Sequence, residues 1–217
     1  MNCPFCVEYK KPYESQFYLE VGQRIGCKSR VLLESKNWYA VPTIGCLTAG
    51  YVLIICKQHY LSLADTDDNL YNEMLSLKKK VEKLLYKEFG LNCISFEHGN
   101  TRINSKGTNS VDHVHLHVLP FHQNIWNNIA PKIKCHKFEV MDSYESVFKS
   151  FKYTKPNSYL VFQDVDKKVY YIPNAKELPS QFFRRCIANQ INMDEWNWKT
   201  EYYTENITKT LRAFKKI

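Results

Sequence analysis

Apolar and polar positions change period along this 217-residue chain, and each change predicts an element. Residues 38–41 and 51–56 are apolar, β-branched and aromatic, which predicts two strands. Residues 42–50 between them hold Pro, Thr and glycines, so the strands form a hairpin around a loop. Upstream, residues 16–19 and 30–34 predict short strands or turns of a small N-terminal meander. Asp65-Thr66-Asp67-Asp68 then opens a helix, because acidic groups suit the positive end of the helix dipole. Leu70, Met74, Leu77, Val81, Leu84 and Leu85 recur at helical spacing, Lys78–Lys80, Glu82 and Lys83 fill the other side, and Gly90 ends the helix. Residues 91–96 predict the next strand and residues 99–110 a polar loop. Beyond Pro120, helices are predicted over 141–151, 179–191 and 206–214. A hairpin over 158–164 and 169–173 turns at Asp166-Lys167-Lys168.

One strand carries unusual chemistry. In Asp112-His113-Val114-His115-Leu116-His117-Val118-Leu119-Pro120, three histidines alternate with apolar residues. Strand side chains alternate between faces. His113, His115 and His117 therefore share one face, while Val114, Leu116 and Val118 share a core face. An edge strand with incidental histidines, or a metal-binding stripe, is the bland reading. With seven histidines in the chain, three at this spacing favour a site that uses them.

Cys3-Pro4-Phe5-Cys6 is a second candidate. A Cys-x2-Cys knuckle is either half of a zinc site or a redox pair, and the lack of a βαβ context weighs against the redox pair. Zinc needs further ligands, for which His59 and His113 are candidates. Two free cysteines at a mobile end are the alternative.

The triad pattern resembles the signature of the histidine triad (HIT) superfamily of nucleotide hydrolases and transferases. Trp38-Tyr39-Ala40-Val41, Gly50-Tyr51-Val52-Leu53-Ile54-Ile55 and Lys57-Gln58-His59 resemble the family's first hairpin and the segment after it, with Cys56 where Pro is usual. Ser95-Phe96-Glu97-His98-Gly99 resembles the strand preceding the triad. The resemblance covers about residues 1–122 and implies an α+β HIT-like fold, an antiparallel sheet with a long helix packed on it. It implies that His115 is a nucleophile that attacks the α-phosphate, that His117 donates to a phosphate oxygen, and that His113 organises the site. Thr43, Glu97, Asn109 and Ser110 fall at nucleotide-binding positions. Two of these depart from the family: Thr43 stands where a ribose-binding Asp or Asn is common, and the carboxylate of Glu97 stands where Gln occurs and would repel phosphate unless it contacts base or ribose. In the zinc-bearing branch, a knuckle joins two histidines, which implies a closed structural zinc site of Cys3, Cys6, His59 and His113.

The C-terminal part resembles another HIT-like group more narrowly. Leu178-Pro179-Ser180-Gln181-Phe182-Phe183-Arg184-Arg185, followed by Trp196-Asn197-Trp198-Lys199, resembles the end of the HIT-like domain in CwfJ-type splicing factors. This implies an α/β extension over 126–217 packed on a HIT-like domain over 1–125. Gln181, Arg184 and Arg185 either reach the phosphate site or are structural, and the structural reading is preferred.

Composition changes this picture little. A formal net charge of +8, from 30 Lys and Arg against 22 Asp and Glu, suits an anionic ligand such as a nucleotide. Basic and aromatic residues do not interleave as they do in RNA readers, so a nucleic acid partner stays possible but unsupported. No apolar run has membrane-span length and no signal peptide is evident, so no membrane partner is expected. Eight cysteines then point to reduced thiols and a cytoplasmic setting. A homodimer is possible, although the extension is long enough to cover its interface. The expected activity is hydrolysis of a nucleoside phosphoramidate, dinucleoside polyphosphate or cap-like substrate through a nucleotidyl-histidine. The alternatives are a nucleotidylyltransferase with the same intermediate and a non-catalytic RNA-processing module. A purely structural zinc protein leaves His115 and His117 unexplained.

Overall fold

The computed structural model describes residues 3–101, 111–133, 137–175 and 178–216. Its frame is one antiparallel sheet: β1 (Leu33–Glu34), β2 (Trp38–Pro42), β3 (Val52–Cys56), β4 (Cys93–Asn100), β5 (His115–Pro120), β6 (Glu139–Met141), β7 (Ser158–Gln163) and β8 (Val169–Ile172). Their spatial order is β1-β2-β3-β5-β4-β7-β8-β6. The helices are α1 (Pro4–Lys10), α2 (Asp68–Phe89), α3 (Tyr144–Thr154), α4 (Phe182–Gln190) and α5 (Thr204–Ala213), with shorter helical turns elsewhere.

α2 forms where helical periodicity and caps agree. Asp67 caps it by accepting a hydrogen bond from the Leu70 amide at 2.8 Å, and Gly90 ends it with φ +68°. Its apolar stripe (Tyr71, Met74, Leu77, Val81 and Leu85) is buried against the sheet. At about 1.5–3 kcal/mol per large side chain, that burial outweighs the helix's intrinsic propensity. Trp38 of β2 faces this helix and donates its indole N–H to the Leu70 carbonyl at 2.9 Å.

Register sets which residues share a face. Ile55 opposes His115, Leu53 opposes His117, and His117 opposes Phe96 across β3, β5 and β4. Tyr51, Leu53, His115, His117, Phe96 and His98 thus share one face, while Ile54, Leu116, Val118, Ser95 and Glu97 face α2. The C-terminal strands continue the same sheet: β7 pairs with β4 over six residues, from Ser95 with Gln163 to Asn100 with Ser158.

The structure departs from the sequence expectations at three places. The segment 16–19 is helical, leading into a wide turn over Tyr18–Gly22 and a short helix over Gln23–Ile25. β4 runs on to Asn100 instead of ending near Phe96. Glu139–Met141 is an edge strand, and the helix begins after it, at a Ser143 cap that accepts from the Ser146 amide.

Candidate active site

His115 and His117 stand side by side on β5, ring centroids 4.9 Å apart. Each has a defined hydrogen-bond partner at Nδ1. His115 donates Nδ1–H to the His113 carbonyl at 2.6 Å, which leaves the lone pair on Nε2. His117 Nδ1 lies 2.8 Å from the Tyr51 hydroxyl. When the hydroxyl donates, Nε2 of His117 carries the proton. Phe96 stacks on the His117 ring at 4.3 Å and 12°. Burial pushes both imidazoles below their usual pKa; for His117 the charges of His115, His98 and Arg184 push in the same direction. Both are neutral at neutral pH.

His113 lies just before β5 and turns away from this pair. It donates Nε2–H to the Cys56 carbonyl at 2.8 Å, so its lone pair is on Nδ1. Nδ1 points at Cys3 Sγ (3.3 Å) and Cys6 Sγ (3.6 Å), and His59 Nδ1 lies 3.4 Å from Cys6 Sγ. Ligand atoms of Cys3, Cys6, His59 and His113 all lie within 4.8 Å of one another, an arrangement that could hold a metal ion. Metal–sulfur bonds of about 2.3 Å and metal–nitrogen bonds of about 2.0 Å give a tetrahedral S–N edge of about 3.5 Å, close to the separations seen. The residues fit a tetrahedral metal through a soft two-sulfur, two-nitrogen donor set and a fixed His113 tautomer. His113 thus joins the two centres: its side chain faces the cysteines, and its carbonyl orients His115.

A cleft opens beside the histidine pair, with about 680 Å³ of empty space including its open mouth. Its walls come from distant parts of the chain. Phe5 of α1 packs edge-on against His115 at 5.2 Å. Phe17, Thr43, Ile44 and Leu53 line it, as do His98 of β4 and Gln181, Arg184 and Trp198 of the C-terminal region. Arg30 also lines it, held by a bidentate pair with Glu8 at 2.6 Å and by the Pro42 carbonyl.

The nucleotide-binding candidates are placed unequally. Thr43 lines the cleft, with its hydroxyl donating to the Ile44 carbonyl at 3.0 Å. Glu97 is not brought to it. It lies on the α2 face of β4, 1% exposed, where it accepts from the Leu63 amide at 2.8 Å and the Tyr159 hydroxyl at 2.7 Å. Burial pushes its carboxyl up to about 8. The expected Glu97 contact with nucleotide is thereby corrected, because strand alternation turns its neighbour His98 to the cleft instead. Asn109 and Ser110 lie outside the described residues.

Phe5, His98 and Tyr51 line or support the site without having stood out in the sequence. Strand parity carried the signal for Tyr51, two residues from Leu53. Phe5 gave none, since only the fold brings α1 to β5.

A row of histidines on a central strand, beside a cleft on an antiparallel sheet backed by one long helix, is the arrangement of a histidine triad protein. The HIT domain family matches residues 26–124. A HIT-like protein of Methanocaldococcus jannaschii is 30% identical over 93 residues, covering 42% of this chain and 68% of that protein. The chain belongs to the HIT family. Among solved structures it is similar to a HIT family member from Bacillus subtilis (20% identity, 62% of this chain and 96% of that one, TM-score 0.43). It is also similar to a HIT-like protein involved in cell-cycle regulation from Bartonella henselae (23% identity, 46% and 71%, TM-score 0.39).

Proposed function

We propose that this protein hydrolyses a nucleotide derivative at its α-phosphate through a nucleotidyl intermediate on His115. The single observation that carries this is the His115 Nδ1–H bond to the His113 carbonyl at 2.6 Å. It fixes a neutral tautomer whose Nε2 lone pair is available as a nucleophile.

In the first step Nε2 of His115 bonds to the α-phosphorus as the bond from phosphorus to the leaving group breaks. The leaving group departs with that electron pair. His117, neutral with its proton on Nε2, donates a hydrogen bond to the oxygen on which charge develops and keeps its proton. In the second step water attacks phosphorus, the P–N bond breaks, and a proton passes to solvent. A nucleoside monophosphate leaves and His115 returns neutral. A different acceptor in the second step would make the same site a nucleotidylyltransferase.

The Cys3, Cys6, His59 and His113 set suits zinc held structurally, since four protein donors leave no open position for water. Such an ion would supply no reaction chemistry. This chain's own residues use the cluster to hold α1, and with it Phe5, against His115.

The test is a hydrolysis panel with the full chain and a His115→Ala control. Substrates are adenosine phosphoramidate, diadenosine tri- and tetraphosphate, a capped dinucleotide and a sugar nucleotide. Turnover of one class, lost in the variant, is the expected result. No turnover of any class, with nucleotide binding unchanged by the substitution, overturns the reading.

A further inference from the structure

Arg184 is a buried cation with one nitrogen left over. It is 3% exposed. Its Nε and Nη2 donate to the Trp196 carbonyl at 3.1 and 3.0 Å, and Nη2 also donates to the Gly45 carbonyl at 2.7 Å. Among the described residues, Nη1 is buried without a hydrogen-bond partner. Gln181, 6% exposed and three residues earlier, repeats the pattern. Its Nε2 donates to Asn197 Oδ1 at 3.0 Å, and its Oε1 is buried without a partner among the described residues. A buried guanidinium N–H or amide oxygen left unpaired is costly, so two of them beside one cleft ask for a ligand. Both residues line the histidine cleft. The cleft's other arginine, Arg30, is neutralised by Glu8. Among the described residues, no carboxylate pairs with Arg184.

Position along the sheet face says which part of a substrate Arg184 meets. His115 opposes Ile55 and His117 opposes Leu53, so Tyr51 lies one step further on. The Arg184 guanidinium sits over the Tyr51 ring at 5.4 Å, and Tyr51 bonds His117. The order is nucleophile, His117, then Arg184. In-line displacement puts the leaving group on the far side of phosphorus from the attacking nitrogen. Arg184 stands beyond His117 from the nucleophile, where a leaving group on that side would meet it.

We propose that Arg184, assisted by Gln181, binds a phosphate of the leaving group, so that the C-terminal region selects substrates whose leaving group is itself a phosphate. This rests on the nucleotidyl-transfer reading above. The guanidinium suits a phosphate oxygen, and Gln181 Oε1 suits a hydroxyl or amine proton carried by the same group. A phosphate leaving group needs no proton to depart. An amine leaving group would need one.

The test compares kcat/KM for diadenosine tetraphosphate with that for adenosine phosphoramidate in the full chain and in Arg184→Gln. The ratio is expected to fall about 10- to 100-fold, the worth of one charge-assisted hydrogen bond. Arg184→Lys, which keeps the charge without the fork, is expected to retain more of the ratio. If Arg184→Gln does not fold, Arg184→Lys and Gln181→Asn carry the test, since Asn tolerates the left-handed backbone of Gln181 (φ 60°). An unchanged ratio in the folded variants overturns the proposal. Calorimetric binding of AMP and ADP separates it from the catalytic reading. ADP is expected to bind about tenfold or more tighter than AMP, and Arg184→Gln to abolish that gain. Such a gain without any turnover would sink the catalytic reading alone. Equal binding of the two nucleotides sinks the Arg184 assignment even if His115 turns substrate over.

Discussion

Glu97 makes stability depend on pH in a direction unusual for a carboxylate. Its side chain is buried between β4 and the segment before α2, and burial holds its pKa at about 8 against an ordinary value of 4.5. The hydrogen bonds from the Leu63 amide and Tyr159 hydroxyl pull the other way without cancelling burial. The folded state therefore binds a proton over a range where the unfolded chain has lost it. Stability from this group is fully present below pH 4.5 and is lost as pH rises to about 8. The slope within that window is about 1.4 kcal/mol per pH unit, which bounds the whole loss at about 4–5 kcal/mol. Glu97→Gln removes the titration and keeps an acceptor for the Leu63 amide. The assay is urea unfolding of both proteins at pH 5.5, 6.5, 7.5 and 8.5, where the difference between them cancels every other titrating group. The stability of the wild type relative to the variant should fall by about 1.4 kcal/mol per pH unit from pH 5.5 to about 8. Parallel stability curves across this range would refute the assignment of a protonated, buried carboxyl.

Three other perturbations probe the site's walls. Cys6→Ser, or chelation of the full chain, should lower urea stability by about 4 kcal/mol if metal normally exceeds its Kd about a thousandfold; unfolding unaffected by zinc or chelator refutes the metal site. Tyr51→Phe should cost about 1–2 kcal/mol in stability and lower kcat about tenfold while leaving KM nearly unchanged. The reason is that His117 Nδ1 loses the partner that fixes its tautomer. Gly45→Ala should destabilise by at least about 2 kcal/mol and expose the C-terminal region to limited proteolysis. Gly45 has φ +71°, and a Cβ there would lie 2.6 Å from Trp198 Cα and 2.9 Å from Arg184 Nη2.

Local periodicity made the long helix, the β2–β3 hairpin and the histidine strand legible, because each is written in contiguous residues. The cluster of Cys3, Cys6, His59 and His113 was legible only as a set of residue types. That His113 faces it through Nδ1 depends on a carbonyl, that of Cys56, which no sequence pattern marks. Gly99 has the look of a loop start in the sequence, yet β4 runs through it to Asn100. In the fold it pairs with Tyr159, and a Cβ there would lie 2.0 Å from the tyrosine Cζ. Glycine is the residue that lets the Tyr159 ring cross the strand and reach Glu97. The strand therefore runs on, and its alternation sends Glu97 inward and His98 to the cleft.

The same logic explains why the C-terminal contribution was hard to read. Helical spacing over Phe182–Gln190 accounts for Phe183, which packs on Phe96, His98 and Phe162, but it is silent about Arg184. What turns Arg184 to the cleft is the loop after β2. The Gly45 carbonyl accepts from Arg184, the Cys46 and Leu47 carbonyls accept from Asn206, and the Gly50 amide donates to Thr210. That loop begins at Thr43, which lines the cleft. One clamp from the C-terminal region thus fixes both the loop beside Thr43 and the cation beyond His117.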